Sequence, residues 1–444
     1  MTPRSTSLDG LPGNACIARH DSGRGFVKRF PHRVAVRVAD ALLVATAWRG
    51  LSAQPAVARL HLTEDLRIDG AREGWSIGAD RYFSSLVVSP RGRIAFIDAR
   101  AFRVRFFDAA GNHLGDFGRE GAGPGEFLGV ERRYGGRHAE LVAGTVADSV
   151  WLYEAQTRRV TYVTSQGGFL RTLMRADAQT DPDAPQLTFT GAYGDGSVLW
   201  TQEFRSRFEH AGDNGTTIDA RLDSAFFVSI NANGDSTRVI ARGLDQRAST
   251  VVVGDVIKHT PFVEQARVAV SQDAHRIGFL AWHALTSTSG RYTVTVVGAK
   301  GDTVFSRSFP CAAAPIPSNL ADGAVAQAVR DARAELASRG EPFDDAAAAD
   351  LRRRLRAAVP LSRPCVSEVR FGVDNTTWVR LPRDRSGLSE WLGLDEHGQA
   401  FGTVGFSEDK VFRNFAISRA NLWLIEVAAS GVPSVVRYRI EPSR

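Results

Sequence analysis

The sequence predicts an all-β fold assembled from repeated four-stranded antiparallel sheets, and three observations predict it. Short runs rich in Val, Ile, Leu and Phe recur along the chain, broken by Gly, Pro, Asn or Asp every ten residues or so. Residues 83–127 give one clean copy of the pattern, FSSLVVSPRGRIAFIDARAFRVRFFDAAGNHLGDFGREGAGPGEF, and weaker copies run on to the C-terminus. Tight turns and long connections also alternate along the chain, as they do when strands fold back on their neighbours.

Within that copy, residues 85–89, 93–98, 103–108 and 113–117 carry the side chains that suit a pleated, half-buried surface. The breaks are Pro90-Arg91-Gly92, 99–102 and 109–112, where Pro presets φ and Gly or Asn supplies positive φ. The closing FGREGAGPGEF cannot continue a strand or a helix. Its GREGAG could pass for a phosphate-cradling loop, but such a loop needs a helix after it, and here another strand pattern follows. The segment reads as a connector between sheets.

Three stretches, PxGxIxFxD over 90–98, RVxxFDxxGxxLxxFG over 103–118 and GxGPGEF over 121–127, resemble the NHL-type repeat. The resemblance covers about a tenth of the chain. It implies a six-bladed β-propeller of the bacterial exported type, and a structural ion pair between Asp98 and Arg103. Proteins of this kind serve as binding platforms, sensors and occasional lyases or lactonases, so the resemblance speaks to fold more than to function.

Residues 58–68 read as a strand with no hairpin partner. The blades then follow at 84–117, 139–173, 187–242, 266–309 and 368–405. The last, 411–440, has three strands, and the spare N-terminal strand is expected to complete it, closing the ring and covering sheet edges. Trp151, Trp200, Trp282, Trp378 and Trp423 recur on second strands and read as inter-blade core rather than a sugar-stacking platform.

First-to-second and third-to-fourth turns are short and rich in Gly, Asn or Asp. The long segments, 118–138, 174–186, 205–221, 243–265, 311–365 and 382–389, all fall on the opposite face. Long loops on a rigid scaffold are where binding usually sits. The largest, 311–365, is expected to hold a helical hairpin. Residues 322–339 form its first helix and 346–359 its second, the latter capped by Asp344 or Asp345 and presenting Arg352, Arg353, Arg354 and Arg356 outward. The hairpin reads equally as a lid or docking element and as a plug over apolar surface. The arginine run reads as a solvated helix face.

Cys16 lies in the leader, leaving Cys311 and Cys365 in the body. An even count behind an export signal favours a disulfide, with free thiols or a metal pair as the alternatives. Closing a loop of that length stabilises by about 4 kcal/mol at most on chain entropy. The leader, 1–53, has a basic region at Lys28, Arg29 and Arg33 and an apolar stretch over 41–48. Cleavage is expected after Ala53, or alternatively after Ala58. Val27 is a candidate initiator. The propeller is expected over 58–444, with 311–365 inserted in it.

The chain has 444 residues and a formal charge of +6, but 1–53 hold eight Lys/Arg against three Asp, so the body is close to neutral. Nucleic acid is therefore excluded as an expected partner. No run reaches the roughly 18 apolar residues of a membrane span, and a monomer is expected. Only four of 55 basic residues are Lys, which fits a GC-rich bacterial gene.

No HExxH, nucleophile elbow, Walker loop or Cys/His cluster is present. The one suggestive set lies on long-face loops: Glu209, His210, Asp213, Asp255, His259 and Glu264. Of these His210, His259 and Glu264 are the weak candidates for metal ligands, although solvated loop residues fit them better. The reading is an exported binding or scaffold propeller, periplasmic, envelope-bound or extracellular, with a protein or small-molecule ligand on its long-loop face. No cofactor is expected. The alternative is a hydrolase or lyase using a divalent metal in the central channel. A third reading is an envelope-associated subunit without a small ligand.

Overall fold

The structure is a computed structural model that describes residues 57–74, 85–132, 136–139, 141–174, 186–203, 224–232, 237–244, 250–253, 256–262, 267–382, 388–407, 415–428 and 432–442. All of them belong to the unit Ala53–Arg444. Residues 1–53, expected to be a leader, lie outside them.

Six four-stranded antiparallel blades are present, in the order the repeats predict. Blade 1 spans 85–117, blade 2 141–174, blade 3 186–244, blade 4 267–312 and blade 5 368–406. Blade 6 has three strands from the C-terminus, Ala416–Ile417, Asn421–Val427 and Pro433–Pro442, and its fourth is Arg59–Asp69 from the N-terminus. The spare strand therefore closes the ring as expected. It also does something the sequence did not announce. Arg59 and Leu60 pair in parallel with Thr403 and Val404 on the outer strand of blade 5, which joins blades 5 and 6 into one eight-stranded sheet. Gly402 makes the approach feasible, because a Cβ there would lie 2.5 Å from a Leu60 methyl.

The core follows from strand alternation. A blade sheet buries both faces against its neighbours, so its middle strands read as continuous apolar runs, such as the fully buried Ile94–Asp98. Six hydrophobic clusters among the described residues fill the six blade junctions in turn. Trp151, Trp200, Trp378 and Trp423 are buried in these clusters and Trp282 packs half-buried against one, so the tryptophans are inter-blade core.

One expected ion pair is corrected. Asp98 and Arg103 are cross-strand partners by register, yet the Asp98 carboxylate meets Arg105 at 3.4 Å while Arg103 reaches Asp116 at 3.6 Å. Asp98 is buried and turned inward, where it also accepts from the Ala101 amide at 3.2 Å. Arg103 is half-exposed and cannot follow it.

Candidate long-loop binding face

The two faces of the disc differ in how they are built. The short turns are tight in each blade where they are described: Gly92 donates to Ser89, Gly167 to Thr164, Gly196 to Tyr193, Gly301 to Gly298 and Gly398 to Asp395. At all six junctions this face is also latched to the next blade. Arg91 pairs with Asp148, and Arg93 bonds Ser165, between blades 1 and 2. The Tyr162 hydroxyl donates to the Tyr193 carbonyl at 2.8 Å and Arg171 to Gly194 at 2.6 Å between blades 2 and 3. Arg238 bonds the Lys300 carbonyl, and Arg276 donates to that of Asn375 at 3.0 Å. Val373 donates to Ile417 at 2.7 Å, and the Arg419 amide to the Asp374 carboxylate at 2.8 Å. Arg437 closes the circle on the Ala109 carbonyl at 2.8 Å. Arginine side chains serve in five of the six latches: in four the planar fork reaches a backbone carbonyl of the neighbouring blade's turn, and between blades 1 and 2 it meets the Asp148 carboxylate and the Ser165 hydroxyl. The arginine-rich composition thus has a structural use.

The opposite face carries the insertions. Helix α1, Ser318–Ser338, and helix α2, Asp345–Ala358, form the expected hairpin. Asp344 is the cap of α2, accepting from the Ala347 amide at 2.7 Å. Helix α1 starts earlier than expected, directly behind Pro317, whose carbonyl takes the amides of Leu320 and Ala321. Proline just ahead of a helix needs no amide of its own and so marks its start rather than a gap before it.

The hairpin buries Val325, Val329, Ala332 and Leu336 of α1 against Ala348, Leu351 and Leu355 of α2, forming a seventh cluster apart from the blade cores. Val251 and Val253 also pack on it. They belong to a two-stranded ribbon, Thr250–Val253 and Val256–His259, in the connector between blades 3 and 4. Lys258 of the ribbon meets Glu335 of α1 at 2.7 Å, and that ammonium holds the Glu335 carboxyl below its ordinary value. Two insertions separated by a whole blade therefore build one satellite. Its neck is a short ladder, Ala314–Pro315 with Ser362–Arg363, below which Cys311 and Cys365 are joined with Cα atoms 6.2 Å apart. The expected disulfide is present. Arg363 lies over the Phe262 ring at 5.4 Å, tying the neck to the ribbon's connector.

Next to the neck, Glu368 of blade 5 bonds Arg370 at 2.5 Å and meets Arg380 at 3.6 Å, and Arg380 donates to Ser389 at 3.1 Å. Arg370 stacks over Phe415 at 4.4 Å. This half-buried cluster stands at the long-loop ends of its strands.

The arginine run on α2 is solvated, as expected: Arg353 and Arg354 pair with Asp350 of their own helix, and Arg356 with Asp322 of α1. The glycine-rich connector is filled by its own side chain. Glu126 accepts from the Gly123 amide at 2.8 Å and from Arg119, which together hold its carboxyl below the usual range. Beneath it Arg159, paired with buried Glu154 at 2.8 Å, donates to the carbonyls of Ala122 and Gly123.

Of the metal candidates, His210 and Glu264 lie outside the described residues, as do Glu209, Asp213 and Asp255. His259 sits at the end of the ribbon, its backbone paired with Thr250. Among the described residues no group of three or more His, Cys, Asp or Glu is placed to hold a metal ion. No described helix is long and apolar enough to cross a membrane. Sequence reasoning missed the ribbon, although TVVVGDVIKH, two valine-rich runs about a Gly-Asp pair, is a hairpin signal.

No protein-family model matches the chain, and no curated protein does. Among solved structures it is similar to a member of the DUF4221 family from Bacteroides vulgatus, at 9% identity over 87% of this chain and 99% of that one, with a TM-score of 0.42. It is similar also to the PQQ-bound aldose sugar dehydrogenase from Streptomyces coelicolor, at 12% identity over 88% and 100% of the two chains, TM-score 0.35. A third is virginiamycin B lyase from Staphylococcus aureus, at 10% identity over 87% and 89%, TM-score 0.30. These figures carry no functional conclusion. The six-bladed architecture stands on the chain's own sheet topology, and no match shows membership of the NHL-type family.

Proposed function

We propose that this chain is an exported binding platform whose contact surface is the long-loop face, dominated by the satellite. The asymmetry of the two faces carries the reading. One face spends its turns on hydrogen bonds between blades. The other bears two insertions that fold on each other around a core the propeller does not need. A satellite pinned by a disulfide presents a preorganised surface, which lowers the ordering cost of binding. The disulfide and the basic-apolar leader at 1–53 support export.

Cross-linking of the full chain in a native envelope or secreted fraction, followed by peptide mapping, tests the proposal. Cross-links concentrated in 250–262, 311–365 and 388–391 are expected. Cross-links confined to the short turns would overturn it.

A further inference from the structure

A groove of about 480 Å³ opens between blades 3 and 4, away from the satellite core. Ile240 and Ala241 of blade 3 and Phe279, Ala281 and Val297 of blade 4 form its apolar lining. Gly243 sits opposite Phe279, where a Cβ would come within 2.7 Å of the ring. The strands of blade 4 are long, nine to ten residues in Arg276–Ala284, Ser289–Gly298 and Thr303–Ala312, so its sheet continues beyond the groove.

Register fixes what that continuation presents. Phe279, Thr295 and Ser306 are directly opposite one another across the three strands, and so are Ala281, Thr293 and Ser308. The next row on the same face is His283, Arg291 and Pro310, two residues further along each strand. The hydroxyls are paired with each other, Thr295 with Ser306 at 2.9 Å and Thr293 with Ser308 at 2.7 Å. His283 and Arg291 are exposed. An apolar trough thus leads along a hydroxyl strip to a guanidinium and an imidazole. From Thr295 to Arg291 is four residues, about 13 Å along the strand, the reach of a medium-length alkyl chain.

We propose that this groove binds a linear amphiphile with an anionic head, a medium-chain carboxylate, its alkyl chain in the trough and its head at Arg291. The trough is of the size and character of small-ligand sites, mostly apolar with a few polar groups to set orientation. Arginine is suited to carboxylate by its planar donor pair. The paired hydroxyls have already met part of their hydrogen-bonding capacity in each other, which disfavours a neutral sugar as the occupant. The trough shares no residue with the satellite core, and its head end, where Arg291 pairs with Pro310, stops short of the disulfide at the neck. Ligand binding and partner cross-linking are read separately, so failure of one leaves the other standing.

Titration calorimetry of the full chain with decanoate, octanoate, 1-decanol and maltotriose, each below any micellar concentration, tests it. Saturable one-to-one binding of decanoate is expected, with octanoate about tenfold weaker for its two missing methylenes. Arg291→Ala should weaken decanoate about tenfold and leave decanol unchanged. Ala281→Trp should abolish both. Arg291 is an exposed strand residue, so its variant reports even if Ala281→Trp does not fold. Saturation by maltotriose instead, no saturable binding of decanoate, or decanoate affinity untouched by Arg291→Ala would overturn the assignment.

Discussion

The indole Nε1 of Trp151 donates to the backbone carbonyl of Gln272 at 3.1 Å, bringing blade 2 together with blade 4 past the blade between them. The same carbonyl accepts from the Thr145 amide at 3.1 Å, and Ala274 from that turn packs against Gly191 of blade 3. The first turn of blade 4 thus leans over the inner strands of two other blades at the short-turn end. Trp151→Phe removes one donor and some buried volume but leaves Thr145 on the carbonyl. We expect a loss of about 1–3 kcal/mol, measured by equilibrium denaturation, with faster amide exchange confined to 271–276 and 141–151.

Arg159 and Glu154 form a nearly fully buried pair that also holds the glycine-rich connector. Removing Arg159 leaves the buried Glu154 charge without its counterion, held only by the Thr157 hydroxyl and the Leu128 amide, so Arg159→Met should cost about 3–5 kcal/mol. The double variant Arg159→Met/Glu154→Leu should recover part of that loss. Equal destabilisation by the single and double variants would show that the connector contacts, rather than the charge pair, carry the effect.

How far the sequence could be read follows from the range of the interactions. Short-range signals were legible: the turn residues, the strand runs between them, the Asp344 cap and the apolar stripe of α2 are encoded within a few neighbours. Ring closure was legible because blade 6 lacks a strand and residues 58–68 lack a partner. What was not legible depends on side chains far apart in the chain. The parallel pairing of Leu60 with Val404 needs the absent side chain of Gly402, which has no local signature. The satellite needs Val251 and Val253 to meet α1 and α2, and no periodicity within 250–259 announces a helical partner. Asp98 chose Arg105 over Arg103 because burial, not register, decides which guanidinium a carboxylate can reach.

The satellite should loosen in acid. Lys258 bonds the Glu335 carboxylate and keeps its pKa below the ordinary 4.5. The folded form is therefore harder to protonate than the unfolded, so the contact's contribution is complete above 4.5 and disappears as pH falls through the lowered value. Hydrogen exchange across α1 and the ribbon should accelerate as pH drops from ~6 to ~3, after correction for intrinsic rates. Lys258→Met should flatten that dependence; an unchanged profile in the variant would sink the assignment.

Gly402 and Leu60 place the final prediction at the seam where the chain's beginning meets blade 5. The Leu60 side chain occupies the space a Cβ on residue 402 would need, within 2.5–3.0 Å of three of its carbons. Gly402→Val therefore forces the Leu60 side chain to move and strains the parallel pair Leu60–Val404, while the antiparallel ladder of Arg59–Asp69 with Pro433–Pro442 runs past it. If the parallel contact only trims an edge, the variant should cost about 1–3 kcal/mol by overpacking and leave blade 6 protected from exchange. If the contact is what seats the N-terminal strand, blades 5 and 6 should lose protection together, because one strand serves both. The eight-stranded sheet favours the second outcome: Ala58 already accepts from the Thr403 amide at 2.9 Å before the ladder with blade 6 begins. Leu60→Ala in the Gly402→Val background then discriminates. Relief of the clash should restore part of the stability, whereas a purely local strain at residue 402 would leave the double variant as weak as the single.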